Sequence, residues 1–284
     1  MITINPKDLA VPKLQAYLQS AVSPRPIAFV SSIDKAGNVN LSPFSFFNMF
    51  SMNPPILVFS PSRRVRDNSE KHTLENIREV DEVVINIVDY SMVQQTSLAS
   101  CDFPKGVNEF IKSGLTPEVS QQVKPPRVKE SPVAFECRVK QVISLGDQGG
   151  AGNLVLCEVL LMHIQERVVD ENGIIDPYKI DAVARMGQNY YCRAQGDNIF
   201  VVPKPNEKVG IGYDRLPEQI RNSSVLTGND LGMLANIESI PSATLPTDEE
   251  KSVIAKGTEA AHKLAQSHLR AGRVAEAWRV LLSL

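Results

Sequence analysis

The amino-acid sequence predicts a mainly β fold: an antiparallel β-barrel with peripheral helices, followed by a C-terminal helical extension. Three observations predict it. Short β-branched and apolar runs recur with turn residues between them. Helical stretches interrupt these runs without the regular strand–helix alternation that builds a parallel sheet. Near residue 204 the strand signals stop, and loop and helix take over. The expected division is a barrel domain over residues 1–203 and a loop-rich, helical extension over 204–284.

Along the chain, KLQAYLQSA reads as a small leading helix. IAFVSSI (27–33) is a strand; Asp34-Lys35-Ala36-Gly37-Asn38 supplies turn chemistry before VNLS returns, which makes a hairpin. Asn53-Pro54-Pro55 punctuates, and ILVFS follows as a buried strand. Residues 61–73 are polar and basic, with Arg63, Arg64 and Arg66 read as a mostly exposed face. Leu74, Ile77 and Val80 then recur at helical spacing, with Thr73 or Asp67 as candidate N-cap. VVINIV is another strand, and 91–130 is helix and loop. AFECRVKQVI alternates as a half-buried strand does, DQGGAGN turns, and LVLCEVLLMHI is a longer strand. In the extension, Thr247 and Glu250 form a capping-box pair ahead of a helical tail reaching about 282, broken near Gly257 and Gly272 and anchored by Trp278.

Composition bounds the function. The 284 residues are 43% hydrophobic and 22% charged, with a net charge of −2. Such a balance gathers neither nucleic acid nor an anionic membrane surface. The start, MITINPKDLA, lacks the basic and apolar regions of a signal peptide, and the apolar runs are too short and interrupted to cross a bilayer. Cys101, Cys137, Cys157 and Cys192 form no C-x-x-C pair. Reduced thiols in a cytoplasmic protein are the simplest reading. His262 and His268 lie six apart on an expected helix, which gives no metal-ligand spacing, so no metal site is expected.

Between residues 24 and 76 the chain gathers the residue types a phosphorylated planar cofactor requires. Arg25 precedes the first strand; Asn40, Ser42, Pro43 and Ser45 stand among Phe44, Phe46 and Phe47, and Asn48 closes the run. Ser60 and Ser62 follow the ILVFS strand, and Lys71 and Thr73 stand at the start of the next helix. Hydroxyls, a cation and a helix N-terminus suit a phosphate. Polar edges set among aromatics suit an isoalloxazine ring. Taken singly, the three phenylalanines are core or interface residues, and the Ser and Asn between them complete turns. Gly210-Ile211-Gly212 lacks the third glycine and the strand–helix context of a dinucleotide fingerprint.

The ordered set SPRPIAFVSS, GNxNLSPFSFFN, NPPILVFS and KxTLxNI, with Arg185-Met186-Gly187-Gln188-Asn189-Tyr190 as an R-x-G-x-x-Y segment, resembles the flavin reductase-like, FMN-binding split-barrel family over about residues 20–195. The resemblance implies a six-stranded split barrel that forms a homodimer and holds FMN near the dimer interface. Carried over residue by residue, it implies that Asn40, Ser42, Pro43, Phe44, Ser45, Phe46 and Asn48 line the isoalloxazine and ribityl chain, with Arg25 beside them. Ser60, Ser62, Lys71 and Thr73 serve the phosphate, while Arg185, Gly187 and Tyr190 close over the cofactor or approach it from the partner subunit. Two departures stand out: His72 replaces the acidic residue frequent between Lys and Thr, and Cys157 replaces a glycine common before Glu158. As a separate reading, Arg185 is an ion-pair partner for Asp181 if that stretch is helical.

The expected function is that of an FMN-dependent oxidoreductase. An NAD(P)H-dependent flavin reductase would pass a hydride from NADH or NADPH to flavin N5 and electrons on to a second acceptor. The alternative is a non-catalytic FMN electron carrier in the manner of a flavoredoxin. No general acid or base is singled out, because hydride transfer to a flavin requires none from the protein.

Overall fold

β1 (Ala28–Ile33) is buried along its whole length, and the first unit of the chain is assembled around it. The computed structural model describes residues 1–203 and 209–284, and the chain divides into two compact units, Met1–Phe200 and Val201–Leu284. Helix α1 (Val11–Ala21) precedes β1. β2 (Val39–Phe44), β3 (Phe47–Met52) and β4 (Pro55–Phe59) follow, then α2 (His72–Glu79) and β5 (Glu82–Ile87). The connection from β5 carries α3 (Val93–Ala99), α4 (Glu109–Ser113) and the two-residue strands β6 (Pro117–Glu118) and β7 (Arg127–Val128). The long hairpin β8 (Val133–Ser144) and β9 (Asn153–Ile164) comes next, and β10 (Val183–Arg185) and β11 (Tyr191–Arg193) end the unit.

The main sheet has the order β2-β1-β5-β8-β9-β4-β3, with every neighbouring pair antiparallel. It has seven strands where the resemblance implies six. β2 and β4 are separated in this order by β1, β5, β8 and β9, yet the rings of Phe44 and Phe59 lie 5.3 Å apart. A flat sheet would hold these strands far apart at about 4.8 Å per strand. The sheet therefore wraps on itself as a barrel. Bulges between Glu136 and Cys137 and between Val139 and Gln141 on β8 supply local bends.

Side-chain alternation explains the two cores. Ala28 and Val30 of β1 point inward with Phe44, Phe59, Ile85 and Val155, and Leu74 and Ile77 of α2 pack into the same cluster. Phe29 and Leu41 point outward, where Met92, Ala99 and Phe110 from the α3–α4 connection cover them. β1 is buried on both faces for that reason.

The second unit is helical: α5 (Glu218–Arg221), α6 (Gly228–Ala235), α7 (Asp248–Ile254), α8 (Thr258–Arg270) and α9 (Val274–Leu281). Its core gathers Ile220, Leu234, Leu269 and Leu281 around Trp278, whose indole N–H donates to the carbonyl of Leu234 at 3.3 Å. The Thr247–Glu250 capping box is formed, and the helices part at Gly257 and Gly272.

Three local expectations are corrected. α2 begins after Lys71 with no side-chain cap: Asp67 turns back to Ser69, and the Thr73 hydroxyl is used elsewhere. The stretch around Asp181 and Arg185 is strand and turn, so Asp181 pairs with Arg193 instead of Arg185. Arg63 and Arg64 are not an exposed face; their side chains are 23% and 12% exposed because they are folded into the loop they belong to.

Candidate functional site

A cleft of about 530 Å³ opens between α1 and the loop joining β4 to α2. Its apolar wall is Val11, Leu14 and Leu18 of α1, with Phe46 from the β2–β3 turn and Val65 from the loop. Its polar wall is Ser62, Arg63, Arg64, Arg66 and Lys71, with Asp102 at the edge. Both walls depend on close backbone approach. The carbonyl of Ala151 accepts from the amide of Arg63 at 2.8 Å, and that of Arg63 accepts from Gly150 at 2.9 Å. A Cβ on Gly152 would lie 2.7 Å from Oγ of Ser60, so the β8–β9 turn needs glycine to dock here.

The four cations of the cleft are not equivalent. Arg63 donates to Oδ1 and the carbonyl of Asn68, each at 2.7 Å, and to Glu70 at 2.7 Å. Arg64 donates to Ser69 Oγ at 3.0 Å, to the carbonyl of Glu70 and to Asp102 at 2.6 Å. Arg66 pairs with Asp67 and with the other oxygen of Asp102. The Arg64 hydrogen bond in turn holds the Asp102 carboxyl below its ordinary range, with Arg66 adding to it. The ammonium of Lys71, among the described residues, makes no hydrogen bond and no ion pair. Burial lowers the pKa of its ammonium group, and the Arg64 charge adds to that. An ammonium that is partly desolvated and forms no ion pair among the described residues gains from a bound anion. Immediately after it, the amides of His72 and Thr73 make no hydrogen bond among the described residues, while those of Leu74 and Glu75 donate to the Lys71 carbonyl, and the helix dipole favours negative charge there.

The other expected residues divide. Ser62, Lys71 and Phe46 line the cleft. Ser60 is 8% exposed and its amide donates to the carbonyl of Phe46 at 2.9 Å, which fixes the β2–β3 turn. Asn40 and Thr73 are buried beneath the site: the Thr73 hydroxyl donates to Oδ1 of Asn40 at 2.6 Å, and Nδ2 of Asn40 donates to Glu109 at 2.9 Å. Phe44 belongs to the barrel core, and Ser42 and Pro43 are half-buried on β2. Asn48 is exposed and lines a trough on the β3–β4–β9 face, apart from the cleft.

Arg25 is buried, and its guanidinium donates to the carbonyls of Gln19, Val22 and Met186 and, at 3.4 Å, to Ser45 Oγ. It ties the end of α1, the aromatic turn and the 186–190 loop together. Gly187 sits against α1, where a Cβ would fall 2.1 Å from Ser20 Oγ. Arg185 lines a second pocket, and Tyr190 is 70% exposed. Sequence reasoning missed Val11, Leu14, Leu18, Gly150 and Asp102. The three glycines of DQGGAGN, more than a turn needs, were the available signal.

Comparison with known proteins identifies the family and the fold. The family described as "Flavin reductase like domain" matches residues 20–179. A protein of Aquifex aeolicus is 39% identical over 176 residues, which span 62% of this chain and 87% of that one. Among solved structures, nitrilotriacetate monooxygenase component B from Bacillus cereus superposes with a TM-score of 0.66 at 29% identity, covering 71% of this chain and 98% of that one. The 2-nitrobenzoate 2-nitroreductase of Pseudomonas fluorescens superposes at 0.62 and 27%, covering 74% and 100%. The family match lies within the first unit, and the fold is that of the split-barrel flavin reductases.

Proposed function

The chain belongs to the flavin reductase like family, a flavin-binding oxidoreductase group, and on that premise we propose that it is an FMN-dependent, NAD(P)H-oxidising reductase. The observation that carries the reading is Lys71, the one cation of the cleft without a partner among the described residues. Lys71 and Ser62 would hold the FMN phosphate, helped by the first amides of α2. Phe46, with Leu14 and Leu18 of α1, would cover the ring and exclude water. Bound FMN would supply the redox chemistry, taking a hydride from NADH or NADPH and passing electrons to a second acceptor. Arg25 serves by holding the β2–β3 turn and α1 in register, and Asn40 and Thr73 by supporting β2 from beneath.

A homodimer is part of this reading. The trough on the β3–β4–β9 face, about 770 Å³, is lined by Phe47, Met49, Met52, Leu57 and Met162 among others. Met49, Phe50 and Met52 are exposed at 59%, 69% and 81%. An apolar patch of this kind is a protein interaction surface, and a second copy offers a self-complementary partner. Among the described residues no helix is long and apolar enough to cross a membrane. All four cysteines are free, which suits a reducing compartment such as the cytoplasm.

The test is anaerobic mixing of FMN-loaded protein with NADH and, separately, with NADPH, read by the flavin absorbance. Bleaching by either nucleotide supports the reductase. Tight FMN binding with no bleaching by either would leave the flavoredoxin-like electron carrier.

A further inference from the structure

A second pocket, of about 350 Å³, lies where the start of α3 faces β10 and β11. Tyr90, Gln94, Ser97, Arg185, Tyr191 and Arg193 line it. Its two arginines differ in the same way as the cations of the cleft. Arg193 is neutralised: Nε and Nη2 each donate at 2.7 Å to the carboxylate of Asp181, while the guanidinium lies over the Tyr90 ring at 3.8 Å. Arg185 meets no carboxylate among the described residues. Among the described residues its guanidinium donates only from Nη2, to the carbonyl of Gln188 at 2.6 Å, and it stacks over Tyr191 at 4.6 Å.

A second cation, Arg25, adds repulsion at Arg185. Arg25 and Arg185 exchange main-chain hydrogen bonds of 2.9 Å in both directions, and their guanidinium groups repel. Burial, and then this repulsion, lowers the pKa of Arg25. Arg25 is compensated by carbonyls at the end of α1, where the helix dipole is negative. Among the described residues Arg185 has only one carbonyl and one ring. A half-buried guanidinium beside a second cation, with its remaining N–H groups unused, is a site for an anion.

The surroundings narrow the anion. A guanidinium presents a planar fork that matches a carboxylate with two parallel hydrogen bonds. The rings of Tyr90 and Tyr191 make flat walls. The side chains of Gln94 and Ser97 make no hydrogen bond among the described residues and stand ready for a ligand. The volume is at the small end of ligand pockets, which run from about 300 to 1,000 Å³. We propose that this pocket binds a small aromatic carboxylate, with Arg185 gripping the carboxylate between the two tyrosine rings. The site is separate from the cleft and does not rest on the flavin reading.

The probe is benzoate, titrated into the full chain by calorimetry at constant ionic strength, with inorganic phosphate titrated separately. Benzoate should saturate one site per chain, and phosphate should bind about tenfold more weakly or worse, because it lacks the planar match. Arg185→Gln should weaken benzoate by about tenfold or more. Ser97→Phe, an exposed position on α3 that fills the pocket and spares Arg185, should abolish benzoate binding while FMN titrates as in the wild type. Absence of saturable benzoate binding, equal affinity for phosphate, or benzoate binding untouched by both substitutions would overturn the proposal. Benzoate failing while FMN binds sinks this site alone; FMN failing while benzoate binds sinks the flavin reading alone.

Discussion

The hydroxyl of Thr73 donates to Oδ1 of Asn40 at 2.6 Å, joining the first turn of α2 to β2 beneath the cleft. The link continues through Nδ2 of Asn40 to the buried carboxylate of Glu109, which also accepts from the amide of Leu41 at 2.9 Å. Burial raises the pKa of that carboxyl, so it depends on its donors. Thr73 thus holds the segment that presents Lys71.

Thr73→Val and Asn40→Ala are therefore expected to act on stability first. Each leaves a buried polar group without a partner, at a cost of about 1–3 kcal/mol. Denaturant melts of the full chain would measure this. An unchanged midpoint for Thr73→Val, with FMN affinity lost, would mean that the hydroxyl faces the cofactor.

Lys71→Ala has the opposite signature. Its ammonium makes no hydrogen bond or ion pair among the described residues, so stability should hold. FMN affinity should fall by about 1.5–3 kcal/mol, the range for a hydrogen bond to a charged group. Quenching of flavin fluorescence reads it, and the wild-type affinity should weaken as salt rises. Wild-type affinity in the variant would move the phosphate elsewhere.

Asp102 neutralises Arg64 and Arg66 at the rim of the cleft. Removing that negative charge in Asp102→Asn leaves Arg64 without a carboxylate partner and Arg66 with Asp67 alone, so the rim attracts an anion more strongly. FMN binding should tighten by about 1 kcal/mol, the scale of a charge interaction near the surface, while the 61–71 loop loses its tie to residue 102. Weaker binding would show that ordering of the loop outweighs the charge.

On the β3 face, Met49→Asp or Phe50→Asp places a carboxylate on the exposed apolar patch. If a second copy covers that patch, light scattering should find a monomer where the wild type is a dimer. A wild-type monomer, or a dimer untouched by both substitutions, would remove this face from the proposal.

How much of this was legible in sequence follows from where the information lies. β1, β5, β8 and β9 carry apolar runs or alternation that tertiary structure did not override. β3 shows no such pattern, because none of its side chains is buried within one chain. Ser62 and Lys71, expected from the motif, line the cleft, whereas Val11, Leu14 and Leu18 reach it from a helix some fifty residues upstream. Of the phenylalanines, spacing alone could not tell that Phe44 enters the core and Phe46 faces the cleft. Arg63 and Arg64 looked like surface residues, since their partners Asn68, Glu70 and Asp102 are found only once the loop closes.

Glu250 gives the second unit a pH dependence of definite sign. The carboxyl is held below its ordinary range chiefly by the Arg279 guanidinium, and the amide of Thr247 adds a hydrogen bond of 2.7 Å. The groups facing it are Arg279 of α9 at 2.8 Å and His268 of α8 at 3.6 Å. In the unfolded chain these contacts vanish, so the unfolded state takes up the proton first as pH falls. The contribution is fully present above the unfolded value and disappears as pH drops through the lower folded value. Helical circular dichroism melts of the full chain from about pH 7 to pH 3 read it. Glu250→Gln should be less stable than the wild type at neutral pH, and the gap should narrow toward the acid end. A gap that stays constant across the range would show that the carboxylate's charge carries none of the stability.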